Sequence, residues 1–208
     1  MKKLDILKCN VGEVWTNCYL VKNKETSEGF IVDPGAEEQK LLRKIKDFGM
    51  DCRGILLTHG HFDHIMAVNA LAKELKIPVY ACLYEHALLS DPSLSMTDSY
   101  DGCTITPDYE LADGEEVALA GVKLKVLHTP GHTPGSCCFY IPEEDILFSG
   151  DTLFFRSVGR TDFPGGSMTQ MQESLHRLLE DLPEEVQVLP GHEQPTTIGQ
   201  EKRYNPFV

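Results

Sequence analysis

"THGHFDH", residues 58–64, places three histidines and an aspartate within one short stretch of the chain. The whole chain has only eight histidines and carries a formal charge of −13. Imidazole and carboxylate groups held this closely need a positive charge among them, and a divalent metal ion is the usual one. The H-x-H-x-D-H spacing predicts a metal centre built from His59, His61, Asp63 and His64.

Further apolar runs also lead into residues that can bind a metal. The stretch "VLHTPGHTPGS" places His132 on a loop after a strand-like run, "ILFSGDT" does the same with Asp151, and "VQVLPGHE" with His192. Alone, Asp151 could be a turn residue or a helix cap, and His192 could be a hydrogen-bonded loop residue. Four strands that each lead into a ligand-type residue instead favour one shared site held by rigid elements.

The number of candidate ligands indicates the chemistry. Seven are too many for one tetrahedral ion, and they suit two metals about 3.5 to 4 Å apart that share a bridging carboxylate. Nitrogen and oxygen donors suit zinc, which we expect first, or iron or manganese. Such a pair lowers the pKa of a bridging water to about 7 and polarises a carbonyl oxygen, so we predict a hydrolase. We expect His86, His128 and His176 to be structural, and the seven cysteines to be buried small hydrophobic residues.

The composition limits the possible partners. Lys and Arg total 19 against 32 Asp and Glu, a balance that would repel nucleic acid and anionic lipid. No stretch approaches an apolar membrane span, and "MKKLDILKCN" has no apolar run typical of a secretory signal. The cysteines show no C-x-x-C spacing, so reduced thiols are expected. We therefore expect a cytoplasmic protein that acts on a small molecule, folded as one domain over residues 1–208.

The apolar periodicity predicts a mixed α/β architecture in which helices cover sheets. The segment 91–108 is rich in Ser, Asp, Thr and Pro, and we expect it to be an irregular excursion that covers a site. Helices are predicted over 37–48, 64–75 and 169–181, and strands over 18–21, 30–32, 55–57, 79–82, 122–127, 137–141, 146–148 and 186–189.

The order of these motifs resembles the signature of the metallo-β-lactamase superfamily. The resemblance covers nearly the whole chain, from "NCYLV" and "IVDPG" to "LPGHEQPT". It implies a four-layer αβ/βα sandwich, two mixed β-sheets flanked by helices, with the metals at the edge between the sheets. It also implies that His59, His61 and His132 bind one metal, that Asp63, His64 and His192 bind the other, and that Asp151 bridges them.

Within this superfamily, "GDTLF" followed by "GRTDFPGG" resembles the glyoxalase II branch, the hydroxyacylglutathione hydrolases, particularly the short bacterial type. That resemblance implies hydrolysis of thioesters such as S-lactoylglutathione. It further implies that a metal-bridging hydroxide would attack the carbonyl, that the metals would stabilise the oxyanion, and that a thiolate would leave. Asp63 could also orient the nucleophile, and Arg160 could meet a substrate carboxylate or form a structural salt bridge.

The C-terminal tail departs from the full-length glyoxalase II pattern. Those enzymes use a C-terminal helical region to bind glutathione, whereas only sixteen residues follow His192 here. We expect that this tail cannot replace that region, although Lys202, Arg203 and Tyr204 could supply contacts. A smaller or different ester or thioester is therefore an open alternative for the substrate.

Other activities fit parts of the same pattern. Persulfide dioxygenases resemble this sequence in H-x-H-x-D-H and in a similar "GRTDF" element, but they use a single iron, which would be held here by His59, His132 and Asp151. A β-lactamase proper is less favoured, because those enzymes are exported and no signal peptide is expected here. A binding protein with an inactive site is the alternative outside enzymology.

Overall fold

Two six-stranded sheets form the centre of the protein in a computed structural model, which describes residues 2–208. In the first sheet, the β1–β2 and β2–β3 pairs are antiparallel and the remaining pairs are parallel. Its strands, in spatial order, are β1 (Leu4–Val11), β2 (Thr16–Asn23), β3 (Glu28–Val32), β4 (Asp51–Leu57), β5 (Val79–Cys82) and β6 (Tyr109–Leu111).

The second half of the chain forms the second sheet and a small ribbon. Its strands are β7 (Glu116–Leu119), β8 (Val122–His128), β9 (Cys137–Ile141), β10 (Ile146–Gly150), β11 (Leu153–Phe154), β12 (Ser157–Val158), β13 (Gln187–Pro190) and β14 (Thr196–Thr197). The sheet has the order β14-β13-β10-β9-β8-β7, and β11 pairs only with β12. The β10–β13 pair is parallel and the other pairs are antiparallel, so both sheets are mixed.

Alternating apolar residues pack the sheets face to face. Along β8, Val122, Leu124 and Val126 are buried, while Lys123 and Lys125 between them are exposed. This is the period of two that sends successive side chains to opposite faces of a sheet.

An aromatic cluster lies at the centre of this core. The ring of Phe148 lies 5.4 Å from that of Tyr19 and 6.3 Å from that of Phe30, centroid to centroid. All three residues are almost completely buried. These contacts join strand β10 of the second sheet to β2 and β3 of the first.

Helices cover the outer faces of both sheets. The helices are α1 (Glu38–Phe48), α2 (Phe62–Ile65), α3 (Val68–Leu75), α4 (His86–Ser90), α5 (Pro92–Ser95), α6 (Met168–Asp181) and α7 (Ile198–Tyr204). Leu41 of α1 and Leu71 of α3 belong to the apolar cluster on the first sheet, and Met171 and Leu175 of α6 belong to the one on the second. The resulting helix–sheet–sheet–helix order confirms the predicted four-layer αβ/βα sandwich.

The predicted helix over 64–75 is wrong as one continuous element. The structure divides it into α2 and α3. The backbone N–H of Ala67 donates to the carbonyl of Pro34 at 3.0 Å, and the carbonyl of Asp63 packs so closely on Gly35 that a Cβ there would collide with it. The loop after β3 thus interrupts the helix between Ile65 and Val68.

The remaining differences concern the ends of the chain and its surface. The predicted set lacks β1, β6, β7 and the short strands after Gly150, and the tail forms the helix α7. The segment 91–108 contains α5 and a short 3₁₀ turn, and is otherwise irregular. Six cysteines are buried as expected, whereas Cys103 is partly exposed. No helix within residues 2–208 is long and apolar enough to cross a membrane.

Candidate metal centre

All seven predicted ligands lie together at one edge of the two sheets. The residues come from five places: the loop after β4, helix α2, the β8–β9 loop, and the chain immediately after β10 and after β13. By contrast, His86 pairs with Glu110 at the surface, and His128 bonds the carbonyl of Pro134. In the order of the five places named above, the predicted ligands are His59 and His61; Asp63 and His64; His132; Asp151; and His192.

One group consists of three buried histidines. The ligand atoms of His59, His61 and His132 all lie within 4.8 Å of one another, and His61 Nδ1 lies 2.8 Å from His132 Nε2. Burial, reinforced by the neighbouring imidazoles, holds the pKa of His59 well below its usual range and lowers the pKa of His61 to about 3. Both rings are therefore neutral at pH 7, which is the form that binds a metal.

The second group consists of Asp63, His64 and His192. Asp63 Oδ2 lies 3.4 Å from His64 Nε2 and 3.2 Å from His192 Nε2. Burial lowers the pKa of His64, but Asp63, Asp151 and Asp33 outweigh it and raise that pKa to about 10. Burial likewise opposes ionisation of Asp63, yet His64 and His192 bring its pKa below the usual range. Protonated His64 is therefore the positive charge that these carboxylates face in the metal-free protein, and a bound metal ion would take its place.

Asp151 lies between the two groups. Its Oδ1 is 3.5 Å from His64 Nε2, and its Oδ2 is 3.6 Å from His132 Nε2 and 3.5 Å from His192 Nε2. Gly191 makes room for this arrangement, because a Cβ at that position would collide with Asp151 Oδ1 and lie 2.7 Å from His64 Cε1. One carboxylate thus faces histidines of both groups.

Hydrogen-bond accounting identifies the atoms that lack a partner. Within residues 2–208, the buried side-chain nitrogen and oxygen atoms with no hydrogen-bond partner are His59 Nε2, His64 Nε2 and Asp151 Oδ1. Leaving a buried polar group unpaired costs about 1–3 kcal/mol. All three atoms belong to this one centre and are donor types that zinc, iron and manganese accept. The residues present therefore fit bound divalent metal ions.

Asp33 and Thr58, which the sequence analysis did not single out, orient two of these histidines. Asp33 Oδ2 accepts from the Thr58 hydroxyl at 2.6 Å and pairs with His64 Nδ1 at 2.9 Å. Because an ionised carboxylate can only accept, His64 Nδ1 carries the proton. Thr58 Oγ1 also lies 3.1 Å from His59 Nδ1, so it accepts the proton of that ring. Nε2 of both rings thereby faces the centre, where a bound metal would displace the proton that the raised pKa keeps on His64 Nε2.

His132 is oriented in the same way by a backbone group. Its Nδ1 lies 2.7 Å from the carbonyl oxygen of Arg160, which can only accept. The proton therefore resides on Nδ1, and Nε2 keeps its lone pair for the centre. Arg160 thus contributes to the site through its backbone, independently of its side chain.

A cavity of about 520 Å³ opens onto the centre. Its walls include Val14, Phe62, Phe154 and Phe163, and Met96 from the predicted covering segment also lines it. Apart from the metal-facing groups, the lining is therefore largely apolar, as is usual for small-molecule sites.

Arg160 lines the same cavity but already has a partner. Its guanidinium makes two bonds of 2.7 Å to the carboxylate of Asp162 and lies 3.9 Å from the ring centroid of Phe163. The hydrogen bonds from Arg160 lower the pKa of Asp162 to about 2. The salt bridge anticipated as one of its two roles is present, and a substrate carboxylate would have to compete with Asp162.

Two mixed sheets between helices, with a His/Asp cluster at their common edge, define the class of protein. The family model of the metallo-beta-lactamase superfamily matches residues 11–192, and the chain belongs to that superfamily. This result confirms the resemblance on which the expected fold depended. It also makes the protein a member of a metallo-hydrolase superfamily.

Particular members of the superfamily resemble the chain over nearly its full length. It is similar to the crystal structure of the B3 metallo-β-lactamase BLEG-1, with a TM-score of 0.91, 40% identity, and coverage of 98% of this chain and 99% of that one. The di-iron-bound form of TTHA1623 gives a TM-score of 0.86, 39% identity and coverage of 97% and 100%. Hydroxyacylglutathione hydrolase GloC of Haemophilus influenzae is 34% identical over 196 residues, 92% of each chain. The last similarity supports the resemblance to the glyoxalase II branch.

Proposed function

We propose that this protein is a binuclear metal-dependent hydrolase that cleaves thioesters of the hydroxyacylglutathione type and acts as one domain over residues 1–208. The observation that carries the proposal is the position of Asp151, with its carboxylate oxygens 3.5 to 3.6 Å from histidines of both groups. A carboxylate shared in this way is what a pair of metals about 3.5–4 Å apart requires. The similarity to GloC supports the thioester as substrate.

The proposed ligand sets follow the two groups. Zinc is the metal expected first, with iron or manganese as alternatives, and the di-iron form of TTHA1623 supports both a pair of ions and iron. When bound, the pair would supply a water with a pKa lowered towards about 7 and polarise the thioester carbonyl. We assign His59, His61 and His132 to one ion, Asp63, His64 and His192 to the other, and Asp151 to both.

Asp63 is the residue to which we assign orientation of the attacking water. It lines the cavity, and its Oδ2 accepts from the Thr16 hydroxyl at 2.6 Å. This bond holds the carboxylate in one rotamer, and a fixed acceptor beside the substrate lowers the entropic cost of placing the water. In the reaction, the water oxygen bonds to the carbonyl carbon, the carbon–sulfur bond breaks, and the thiol leaves after taking up a proton.

The apolar walls of the cavity are assigned to the acyl part of the substrate. Phe62, Phe154 and Phe163 exclude water from the region beside Asp63 and Asp151. Arg160 is proposed to bind a substrate carboxylate by exchanging it for Asp162. Because the existing salt bridge is exposed, its loss costs little.

The C-terminal tail lies beside the same cavity. Asn205 Nδ2 donates to the carbonyl of Ser157, a residue that lines the cavity, at 3.1 Å. The ring centroid of Tyr204 lies 5.2 Å from the guanidinium carbon of Arg156. These contacts support a part for the tail in shaping the cavity, although the tail is much shorter than a helical glutathione-binding region.

The deciding experiment is hydrolysis of S-D-lactoylglutathione, followed by loss of thioester absorbance, with protein of measured metal content. A kcat/KM above about 10⁴ M⁻¹s⁻¹ together with two metals per chain supports the proposal. Asp151→Ala provides the inactive reference, and Asp47→Ala, on the exposed face of α1, is the matched control that should keep full activity. Wild-type turnover no faster than Asp151→Ala rejects this substrate.

Hydrolysis of a β-lactam is the second candidate, because the chain is 40% identical to BLEG-1. The same residues would hold the metals, the oxygen of the attacking water would bond to the lactam carbonyl carbon, and the carbon–nitrogen bond would break instead of the carbon–sulfur bond as the nitrogen takes up a proton. A chromogenic cephalosporin measured beside the thioester separates the two. One iron per chain, with oxygen uptake on glutathione persulfide, would instead support the persulfide dioxygenase alternative.

A further inference from the structure

Glu85 is a buried carboxylate that touches both loops carrying the three-histidine group. It lies between β5 and α4 and is 1% exposed. Its Oε1 accepts from the backbone N–H of Gly60 at 2.8 Å. Its Oε2 accepts from the Thr133 hydroxyl at 3.0 Å and from the backbone N–H of Gly135 at 2.8 Å. Gly60 separates His59 from His61, and Thr133 directly follows His132.

Both loops pack closely against Glu85 and the start of α4. A Cβ at Gly135 would collide with the backbone of Glu85, and a Cβ at Gly60 would lie 2.7 Å from Leu88 Cδ2 in α4. The two glycines thus allow a contact that a side chain would prevent. The loops come from different sheets, one after β4 and the other between β8 and β9, so Glu85 connects them across the sandwich.

An ionisable side chain at this buried position opposes folding. The three donors are neutral, and burial raises the pKa of Glu85 to about 7. Burying a carboxylate without a cationic partner opposes folding even when hydrogen bonds satisfy it. The benefit must therefore lie in geometry, because only a carboxylate offers two acceptor oxygens pointing at two separate loops.

We propose that Glu85 is a positioning residue that sets the separation of His59 and His61 from His132. This inference rests on the proposed function, in which these three histidines hold one metal. Metal–ligand distances tolerate changes of only about 0.2 Å. Weakening either side of the Glu85 bridge therefore lowers affinity at this metal position. The group of Asp63, His64 and His192 has no contact with Glu85 among the hydrogen bonds of residues 2–208, and should be little affected.

Glu85→Gln is the direct test. Whichever way the glutamine amide turns, its NH₂ faces a backbone N–H, of Gly60 or of Gly135, so one loop loses its acceptor. Glu144→Gln is a matched control, since Glu144 is 2% exposed and its two oxygens accept from the backbone N–H groups of Lys3 and Leu4, at 2.7 and 3.4 Å. The two variants therefore carry the same chemical change at different ends of the fold.

Stepwise zinc affinities are measured by competition with a chromophoric chelator, and cobalt(II) spectra report each site's coordination. His132→Ala assigns the binding step that belongs to the three-histidine group. We expect Glu85→Gln to weaken that step about 10- to 100-fold and to alter its cobalt spectrum. The affinity of the other step in Glu85→Gln, and of both steps in Glu144→Gln, should stay within about twofold of wild type. Thr133→Val, which removes only one of the three contacts, should weaken the same step less.

Each other result overturns a defined part of the reasoning. Unchanged zinc affinity in folded Glu85→Gln overturns the positioning role. The role is also overturned if Glu85→Gln weakens both binding steps, and Glu144→Gln weakens them to the same extent. Absence of metal binding by the wild-type protein overturns the proposed function itself. If Glu85→Gln does not fold, Glu85→Asp and Thr133→Val decide, because an aspartate keeps the charge but is one methylene too short to reach both loops. Wild-type affinities in both of these variants overturn the role.

Discussion

Replacing Asp33 by asparagine tests the hydrogen bonds that orient the histidines of the metal centre. Both oxygens of Asp33 accept in the wild-type protein: Oδ1 from the backbone N–H of Thr58 at 2.8 Å, and Oδ2 from the Thr58 hydroxyl and His64 Nδ1. Asparagine keeps the shape of the side chain but converts one acceptor oxygen into an NH₂ donor. The side chain can no longer satisfy all three neighbours.

The two possible amide orientations have different costs. If the NH₂ faces the backbone of Thr58, that buried N–H loses its acceptor, at a cost of about 1–3 kcal/mol. If the NH₂ faces His64, the ring gives up its Nδ1 proton in order to accept there, and its remaining proton stays on Nε2, the atom 3.4 Å from Asp63 and 3.5 Å from Asp151. In this second orientation the Thr58 hydroxyl also loses its acceptor and turns towards His59 Nδ1, which moves that ring's proton to Nε2 as well.

The expected effect is on metal affinity. Loss of a partner that orients a metal ligand costs about 10- to 100-fold in affinity, which equals about 1.4–2.8 kcal/mol. Because the Asp33 bonds reach His64 directly and His59 through Thr58, both zinc-binding steps should weaken. Thr58→Val removes only the hydroxyl, so it should weaken the His59 step and leave the His64 step close to wild type.

Chelator competition on the two variants, with Asp47→Asn as an exposed control, measures these affinities. Circular dichroism establishes that each variant is folded before metal is added. A folded Asp33→Asn protein with wild-type stability in urea and both zinc affinities unchanged would refute the hydrogen bonds assigned to Asp33. Equal effects of Thr58→Val on both steps would refute the division into two groups.

Three further predictions concern the aromatic core, the close packing of Gly191 against Asp151, and the pH dependence of stability. Phe148→Ala removes the ring that packs on Tyr19 and Phe30, and should lower the free energy of unfolding in urea by about 3–5 kcal/mol; a loss under about 1 kcal/mol would contradict the central role of this ring. Gly191→Ala places a methyl group against Asp151, so zinc affinity by chelator competition should fall about tenfold or more. A wild-type affinity would contradict the idea that Gly191 makes room for Asp151. Burial raises the pKa of Glu85 from 4.5 to about 7, so the folded protein retains a proton that the unfolded chain releases between these pH values. The stability that this proton contributes to the folded state is complete below pH 4.5 and is lost as the pH rises to 7. Relative to Glu85→Gln, the metal-free wild type should therefore lose up to about 3 kcal/mol of unfolding free energy over that interval, measured by urea titration at each pH; a pH-independent difference would contradict the raised pKa.

The clustering of the seven candidate ligands could be predicted because each lies next to a recognisable element in the sequence. Asp151 and His192 follow apolar strands, and the cluster from His59 to His64 follows β4 and enters α2. Their division into two groups could not be derived from spacing, since His132 joins His59 and His61 from the other sheet. The resemblance to a family supplied that division.

The residues that support the ligands were harder to find. Asp33 follows strand β3 as Asp151 follows β10, but in sequence an aspartate that binds a histidine looks the same as one that binds a metal. Glu85 has no local signal at all, because its partners lie 25, 48 and 50 residues away in the sequence.

The tail helix α7 did carry a local signal that the sequence analysis left unused. Thr197 caps the helix by accepting from the backbone N–H of Gln200 at 3.2 Å, and this Thr-x-x-Gln spacing is typical of a helix start. The wrong prediction of one continuous helix over 64–75 has the opposite cause, a local signal that the tertiary structure overrides. The helical periodicity there is real, but a tertiary bond between Ala67 and Pro34 overrides it.

The buried carboxylates at this end of the fold are distinguished by their partners. Asp33 and Glu85 have both oxygens engaged by protein donors, whereas Asp151 keeps a buried Oδ1 with no such partner. The same accounting separates the nitrogens of the histidines. His59, His64 and His132 use Nδ1 for a protein partner, which leaves Nε2 for a metal.

His61 is the exception among the three-histidine group, because its Nδ1 is the atom that lies 2.8 Å from His132 Nε2. It should therefore bind through Nδ1 while His59 and His132 bind through Nε2. Nitrogen-15 NMR of the zinc-loaded protein distinguishes the two modes by the chemical shifts of the ring nitrogens. Coordination of His61 through Nε2 would require its ring to turn over, and would show that bound metal rearranges this loop.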